Sequence, residues 1–282
     1  MSAIVNAFSI DVEDWFQVAA FAPYIDRKDW DSLECRVERN VDLLLQTLDK
    51  HGVKATFFTL GWIAERYPAL IKRIVAGGHE LASHGYGHAR VGDLTAEQFA
   101  DDVRRSKAIL EHIGGKEVQG YRAPSFSIGA HTPWAHETLR REGFVYSSSV
   151  YPIRHDHYGS PEEPRFPYLH ASGMVEVPPT SVRIGSNNLP AAGGGYFRLL
   201  PYAVSRWAVR RIIVQERQPV SFYCHPWEID PNQPRVQHAS IKARFRHYVN
   251  QARMLTKIEA LLNDFQWAPM NVAFADRIKA VT

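Results

Sequence analysis

"RVERNVDLLLQTLDKHG" (residues 36–52) and "KATFFTLG" (residues 54–61), which follows it closely, indicate the fold class. The first segment ends at Gly52 and has apolar residues at helical spacing, namely Val37, Val41, Leu44, Leu45 and Leu48. The second segment is a short run with aromatic and β-branched residues, which predicts a buried strand. Together they predict one helix–strand repeat of an α/β protein.

The same alternation continues on both sides of this repeat. An apolar run at residues 8–16, "FSIDVEDWF", predicts a strand before it. Beyond it we expect helices at 62–78, 95–115, 133–142, 201–217 and 240–263, and strands at 79–85, 118–124, 144–152 and 219–228. Residues 152–200 are rich in proline and glycine and predict long loops. Repeated βα units of this size predict a parallel sheet or barrel with helices outside it.

The composition and the net charge of the chain limit the classes of protein to which it can belong. The chain has 282 residues, of which 45% are hydrophobic, so it can bury the core of one large α/β domain or of two smaller ones. Its 33 basic and 30 acidic side chains give a net charge of +3, and no extended nucleic-acid surface is expected. No apolar stretch reaches the roughly 18 residues of a membrane span, and no signal peptide is recognisable. Two isolated cysteines, Cys35 and Cys224, favour a reducing compartment, so a cytoplasmic location is expected.

Three carboxylates stand at the end of the first predicted strand. Asp11, Glu13 and Asp14 fall within four positions, where burial and mutual repulsion are costly unless a cation or a strong donor offsets them. A solvated turn is the commoner explanation of such a cluster taken alone. Other polar residues at strand ends therefore decide between a cation site and a solvated turn. In α/β folds the catalytic and binding residues lie at the carboxyl ends of the strands.

Two histidines at the end of a later strand favour the cation. "ASHGYGH" contains His84 and His88, and its two glycines predict a loop that can bring both imidazoles together. Two neutral imidazoles and one carboxylate, with a position left open for water, are a common ligand set of catalytic metal ions. The histidines and the acidic cluster together therefore predict a divalent metal site.

Two further polar residues fall at predicted strand ends. Arg122, in "GYRAPSFS", is either a surface arginine before a turn or a partner that holds a catalytic carboxylate in place. His225, in "SFYCHPWE", is either a satisfied core histidine or a proton donor facing a metal site.

These stretches, in this order, resemble the polysaccharide deacetylase family, the NodB homology domain of carbohydrate esterase family four. The matching segments are "SIDVEDW", "SHGYGH", "RAPSFS", "GFVYSSSVYP" and "FYCHPWE", and they span roughly residues 5–230. "DVEDW", "VPPTS" and "GGGYFRLLP" are most similar to the deacetylases of exopolysaccharide and exosortase loci. The resemblance implies a distorted (β/α) barrel of about seven parallel strands. It also implies a single NodB-type domain over residues 1–282, with a family-specific region at about 230–282.

The resemblance also implies roles for individual residues. Asp11 corresponds to the catalytic base, Arg122 to its partner, and His225 to the general acid that protonates the leaving amine. His84 and His88 correspond to ligands of a divalent metal, most often zinc. The third ligand is open, because the family has two adjacent aspartates and this chain has Val12 after Asp11.

Two departures from the family pattern lead to separate expectations. Glu13 and Asp14 both remain candidates for the third ligand, and the two-residue period of a strand favours Glu13, on the side of Asp11.

Ser147 stands where the family has an aspartate beside the histidine acid. A neutral hydroxyl would raise the pKa of that histidine less, so we expect the alkaline limb of the pH–rate profile at lower pH than in relatives.

The implied activity is the metal-dependent removal of N-acetyl groups from amino sugars of a bacterial polysaccharide or its precursor. Tyr196, Arg198 and Trp227 are candidates for a sugar-binding groove, with ordinary loop packing as the alternative. One alternative function is a metal-free, allantoinase-like ring-opening amidase of the same superfamily. Another is a catalytically silent, glycan-binding barrel.

Overall fold

A computed structural model of the protein describes residues 4–155 and 159–279. The strands in these residues are β1 (Val5–Val12), β2 (Thr56–Thr59), β3 (Glu80–Ser83), β4 (Gly120–Tyr121), β5 (Tyr146–Ser147), β6 (Tyr168–Leu169), β7 (Val175–Glu176), β8 (Ser181–Ile184), β9 (Asn187–Pro190), β10 (Ser221–Cys224) and β11 (Gln266–Ala268). The α-helices are α1 (Val37–Lys50), α2 (Gly61–Arg66), α3 (Pro68–Ala76), α4 (Ala96–Gly114), α5 (Ala135–Arg141), α6 (Gly194–Leu199), α7 (Tyr202–Arg211), α8 (Ile241–Tyr248), α9 (Gln251–Asp264), α10 (Met270–Ala273) and α11 (Ala275–Ile278).

The predicted parallel architecture is confirmed. The main sheet has the order β10-β1-β2-β3-β4-β5-β7-β6, and β11 pairs with the first part of β1. All strands from β10 to β7 along this path are parallel, whereas β6 is antiparallel to β7. Seven parallel strands with flanking helices form a half-barrel, in agreement with the sequence-based expectation. Strands β8 and β9 form a separate hairpin within residues 152–200, where only loops were expected.

The core lies between the sheet and its helices. The apolar stripe of α1 is buried as predicted, with Val37, Val41, Leu44 and Leu48 at most 1% exposed. Cys224 is fully buried in the same apolar cluster. Among the helices of the described ranges, none combines the length and apolar character needed to cross a bilayer.

Two expected helices are each divided in two. The segment 62–78 breaks at Tyr67, because Pro68 cannot continue the preceding helix and instead starts α3. The segment 240–263 breaks at Asn250, which adopts a left-handed conformation with φ of 55°. Asparagine is one of the few residues that accept this conformation readily, and the break turns the chain between α8 and α9.

The strand register brings several polar residues to one edge of the sheet. Val12 pairs with Thr59, Thr59 with Ser83, and Ser83 with Tyr121, so β1 to β4 end level with one another. On the other side of β1, Ile10 pairs with Cys224. Glu13, His84, Arg122 and His225 are the residues that directly follow the ends of β1, β3, β4 and β10. The fold therefore gathers four residues singled out by the sequence at its carboxyl edge.

Candidate active site

Glu13, His84 and His88 form the one group of three or more potential metal ligands found in the described part of the chain. One ligand atom from each residue lies within 4.8 Å of the others, and Glu13 and His84 are buried. His88 Nε2 lies 2.6 Å from Glu13 Oε2. No described residue donates a well-oriented hydrogen bond to this buried oxygen. Buried carboxylate oxygens are normally hydrogen-bonded, so the geometry leaves Glu13 Oε2 available to a cation.

The surroundings hold the imidazole of His84 in a form suited to metal binding. His84 Nδ1 lies 2.8 Å from the carbonyl oxygen of Arg122, which can only accept, so Nδ1 carries the proton and Nε2 is free. Burial lowers the pKa of His84 to about 4, which keeps it neutral at neutral pH. His88 has a φ of 56°, a conformation that is uncommon outside glycine and recurs at functional sites.

The Glu13 carboxylate is fixed from its other side. Trp227 Nε1 donates a hydrogen bond of 3.0 Å to Glu13 Oε1, and Glu13 is 3% exposed. Burial by itself raises the pKa of Glu13, but the neighbouring histidines, above all His88 and His225, outweigh it and lower the pKa well below its ordinary value. Glu13 is therefore ionised and oriented with Oε2 towards the two histidines.

Asp14, the alternative third ligand, lies outside this group. Its Oδ2 accepts hydrogen bonds from the backbone N–H groups of Arg36 and Val37, at 2.6 and 2.8 Å, and from Cys35 Sγ at 2.8 Å. Asp14 thus binds backbone N–H groups at the start of α1, although burial outweighs these bonds and raises its pKa. Its role in the structure is to anchor α1.

Asp11 and Arg122 form a buried ion pair beside the cluster. Arg122 Nη1 donates to Asp11 Oδ1 at 2.6 Å, and the two side chains are 0% and 2% exposed. The guanidinium also donates to the Ser9 hydroxyl and to both the hydroxyl and the carbonyl oxygen of Ser148. Several donors are satisfied at once, so Arg122 fixes the position of the Asp11 carboxylate.

His225 faces the same space from β10. Its Nε2 lies 3.7 Å from Glu13 Oε1 and 3.8 Å from Asp11 Oδ2, and 17% of its side chain is exposed. Its Nδ1 lies 3.1 Å from Oε2 of Glu228, a residue that the sequence analysis did not single out. Burial opposes the charged imidazole, but the carboxylates of Glu13, Glu228 and Asp11 outweigh it and raise the pKa of His225 to about 9. The imidazole is therefore protonated at neutral pH.

His225 has a charged partner even though Ser147 stands where the family pattern has an aspartate. Ser147 is buried at the end of β5, and its hydroxyl bonds to the Ser149 hydroxyl at 2.8 Å. Glu228 supplies the carboxylate from another direction, in the turn directly after β10. A sequence signal was present, because "HPWE" has the proline and acidic residue typical of a short helix start, here the 3₁₀ turn Pro226–Ile229.

Two of the three proposed groove residues are buried in the protein. Arg198 is 1% exposed because its guanidinium pairs with Glu228, and Trp227 is 7% exposed because it stacks between His225 and His247. The burial of both side chains favours the alternative explanation, ordinary packing. Tyr196 is half-buried and contacts the ring of His155, so it stays a candidate.

The site combines a cluster for a divalent cation, a fixed carboxylate and a protonated histidine at the carboxyl edge of a half-barrel. A metal, a base and an acid within reach of one another are what a metal-assisted hydrolase requires. The fold and the site therefore have the features of that class.

Comparison with known families specifies the class further. Residues 30–144 match the family model "Polysaccharide deacetylase", and residues 148–275 match "Domain of unknown function (DUF3473)". The match over residues 30–144 confirms the resemblance found in the motifs.

Individual relatives agree with this assignment. A "Peptidoglycan deacetylase" of Helicobacter pylori is 33% identical over 113 residues, which cover 40% of this chain and 38% of the relative. A "Peptidoglycan-N-acetylglucosamine deacetylase" of Bacillus cereus is 33% identical over 29% of this chain and 30% of its own length. The chain thus spans well under half of these relatives. A crystal structure of a Mycobacterium smegmatis protein assigned to the polysaccharide deacetylases shares the fold, with a TM-score of 0.62, 23% identity, and coverage of 98% of this chain and 91% of the other.

Proposed function

We propose that this protein is a metal-dependent N-deacetylase that hydrolyses the N-acetyl groups of amino sugars in a glycan. The observation that carries the proposal is the Glu13–His84–His88 cluster beside Asp11 and His225. The deacetylase domain over residues 30–144 supports the same activity. The motifs shared with exopolysaccharide-locus deacetylases point to a bacterial exopolysaccharide or its precursor as substrate.

Glu13, His84 and His88 fit a divalent cation, because they bring together a buried carboxylate oxygen, which receives no well-oriented hydrogen bond, and an imidazole nitrogen with a fixed tautomer. Two nitrogens and one oxygen are typical ligands of zinc. A bound cation would polarise the acetyl carbonyl and acidify the attacking water. The polar residues around the cluster supply the remaining steps.

Asp11 and His225 handle the protons in this proposal. Asp11, held by Arg122, takes a proton from the water whose oxygen bonds to the acetyl carbon. The carbon–nitrogen bond then breaks, and His225 gives its Nε2 proton to the departing nitrogen. The products are acetate and a free amine. An amide nitrogen is a poor leaving group and needs this proton to depart, whereas a good leaving group would depart without it.

We also propose that residues 1–282 act as a single NodB-type domain. The pairing of β1 with both β10 and β11 supports this, because the sheet joins the first and last described strands. The second family model begins at residue 148, well before the region at about 230–282 that the motifs set apart.

The direct test is acetate release from a panel of N-acetylated glycans, before and after chelation of the purified protein. We expect release that stops with chelator and returns with added zinc. Turnover that persists in fully chelated protein would support the metal-free amidase instead. Binding of glycans without any acetate release by the metal-loaded protein would support the silent barrel.

A pair of variants tests the third ligand. Glu13→Ala is expected to lose most of its bound metal, measured by elemental analysis, because it removes the one carboxylate of the cluster. Asp14→Ala is the matched control, since it removes a neighbouring buried carboxylate that bonds to the start of α1 and to the N–H of Trp15 but lies outside the cluster. It should keep the metal and lower the free energy of unfolding by about 0.5–2 kcal/mol, as loss of a helix cap does. Equal metal content in the two variants would contradict the assignment.

A further inference from the structure

The carboxylate of Glu228 occupies a fixed position next to the proposed acid. Its Oε2 accepts from the backbone N–H of His225 at 2.9 Å and lies 3.1 Å from Nδ1 of the same residue. Glu228 is fully buried, so its negative charge needs partners inside the protein. Burial raises its pKa, but the charges of Arg198 and His225 outweigh burial and bring the pKa below its ordinary value. It is therefore an acceptor, and Nδ1 of His225 must be the donor.

Arg198 holds Glu228 from the opposite side. Arg198 Nε donates to Glu228 Oε1 at 2.7 Å, and both side chains are at most 2% exposed. The remaining guanidinium nitrogens donate to the carbonyl oxygens of Arg246, His247 and Val249, at the turn between α8 and α9. A buried arginine with so many fixed acceptors has one available orientation, so it fixes the carboxylate in turn.

We infer that Glu228, anchored by Arg198, is a positioning residue that holds Nδ1–H of His225, so that Nε2 points at the departing nitrogen. It takes the place of the carboxylate that the family has where this chain has Ser147. Trp227 lies between His225 and Glu228 in the sequence. Its ring stacks on that of His225, with 5.2 Å between the ring centroids, and limits rotation of the imidazole. This inference rests on the proposed function.

The inference also gives a role to the region of unknown function. His225, Trp227, Glu228 and Arg198 all lie within residues 148–275, whereas His84, His88 and Arg122 lie within the deacetylase match. The two matched regions thus contribute different parts of one site. Residues 148–275 supply the proton donor and the side chains that orient it.

Glu228→Gln tests the inference, because it keeps the size of the side chain and removes its charge. With short chitooligosaccharides as the probe, we expect kcat to fall on the order of 10–100-fold with little change in KM, as for other groups that orient a reacting residue. Para-nitrophenyl acetate should be hydrolysed at nearly the wild-type rate, because its leaving group needs no proton. Glu228→Asp, which keeps the charge, should recover part of the lost rate.

Glu176→Gln is the matched control. Glu176 is also fully buried and also pairs with a histidine, since its Oε2 lies 2.9 Å from His136 Nε2. This variant should leave the ratio of the two kcat values, for chitooligosaccharide and aryl ester, unchanged. An equal loss on both substrates in Glu228→Gln would overturn the inference and assign Glu228 a purely structural role.

A second measurement does not depend on turnover. In wild-type protein labelled with ¹⁵N-histidine, Nδ1 of His225 should carry a proton with the shift of a hydrogen bond to a carboxylate, assigned by comparison with His225→Gln. An Nδ1 without this proton contradicts the inference directly. A wild-type protein that shows the proton but releases no acetate contradicts the proposed function and leaves the His225–Glu228 pairing established.

Discussion

Asp11→Asn is expected to reduce acetate release by about 10²–10⁴-fold while the protein keeps its metal. The amide cannot take a proton from water, and the ligands Glu13, His84 and His88 are untouched. Steady-state kinetics on a glycan that the wild type deacetylates, together with elemental analysis, measure both effects. Retained activity within a few fold of wild type would show that Asp11 is not the base.

The same change removes the partner of a buried arginine, so stability must be measured alongside. Breaking a buried ion pair from one side costs about 3–5 kcal/mol, because the remaining charge is uncompensated. The double variant Asp11→Asn/Arg122→Met removes both charges and should recover part of the lost free energy of unfolding. It should recover no activity, which separates the loss of the base from the loss of the fold.

His225→Ala is expected to have the second large effect, about 10²–10⁴-fold on amide substrates and much less on para-nitrophenyl acetate. An amine is a poor leaving group until it is protonated, whereas the aryl oxide departs unaided. Metal content should stay at the wild-type level. Normal amide turnover in this variant would remove His225 from the mechanism.

His247→Ala is the control for His225→Ala. His247 stacks on the other face of Trp227 at 4.2 Å, but burial and Arg198 lower its pKa well below the ordinary value, so it is neutral and cannot serve as the acid. Its loss should lower stability without changing the preference between amide and ester.

The pH dependence of the wild type should report the same acid. A general acid acts while it is protonated, so a raised pKa moves the alkaline limb of the kcat/KM profile upwards. We expect that limb between 6.5, the ordinary pKa of histidine, and about 9, since a cation on Glu13 would offset part of one carboxylate. In His225→Ala the limb should disappear or move. The neutral hydroxyl of Ser147 gave a reason to expect the alkaline limb at low pH. Because Glu228 supplies a carboxylate beside His225, that reason no longer holds.

Local sequence patterns were enough to predict the sheet and the residues at its edge. A strand puts its last residue at the carboxyl edge whatever surrounds it, so His84, Arg122 and His225 could be placed from strand ends alone. The break at Pro68 could also have been predicted from the sequence, because proline disrupts a helix that would continue through it. The left-handed turn at Asn250 could not, since asparagine permits that conformation without requiring it.

The parts of the site that the sequence did not reveal depend on contacts between distant segments. Arg198 reads as a surface residue in a glycine-rich loop, and only the approach of the turn after α8 and of Glu228 makes it a core ion pair. The partner of His225 was sought at Ser147, at a position given by alignment to a family pattern. Glu228 is different, because it lies only three residues after the histidine, in a turn that "HPWE" could have indicated.

The position of β1, which pairs with β2 on one side and with β10 on the other, affects the order in which the protein folds. Residues 7–10 meet residues 221–224, so the ring of acid, base and ligand groups closes only after most of the chain has left the ribosome. Contacts this far apart in sequence carry a large loop-closure cost and form late. Until then Asp11, Glu13 and their neighbours form an unsatisfied, negatively charged strand end. The site proposed for hydrolysis is therefore complete only after β1 and β10 have paired.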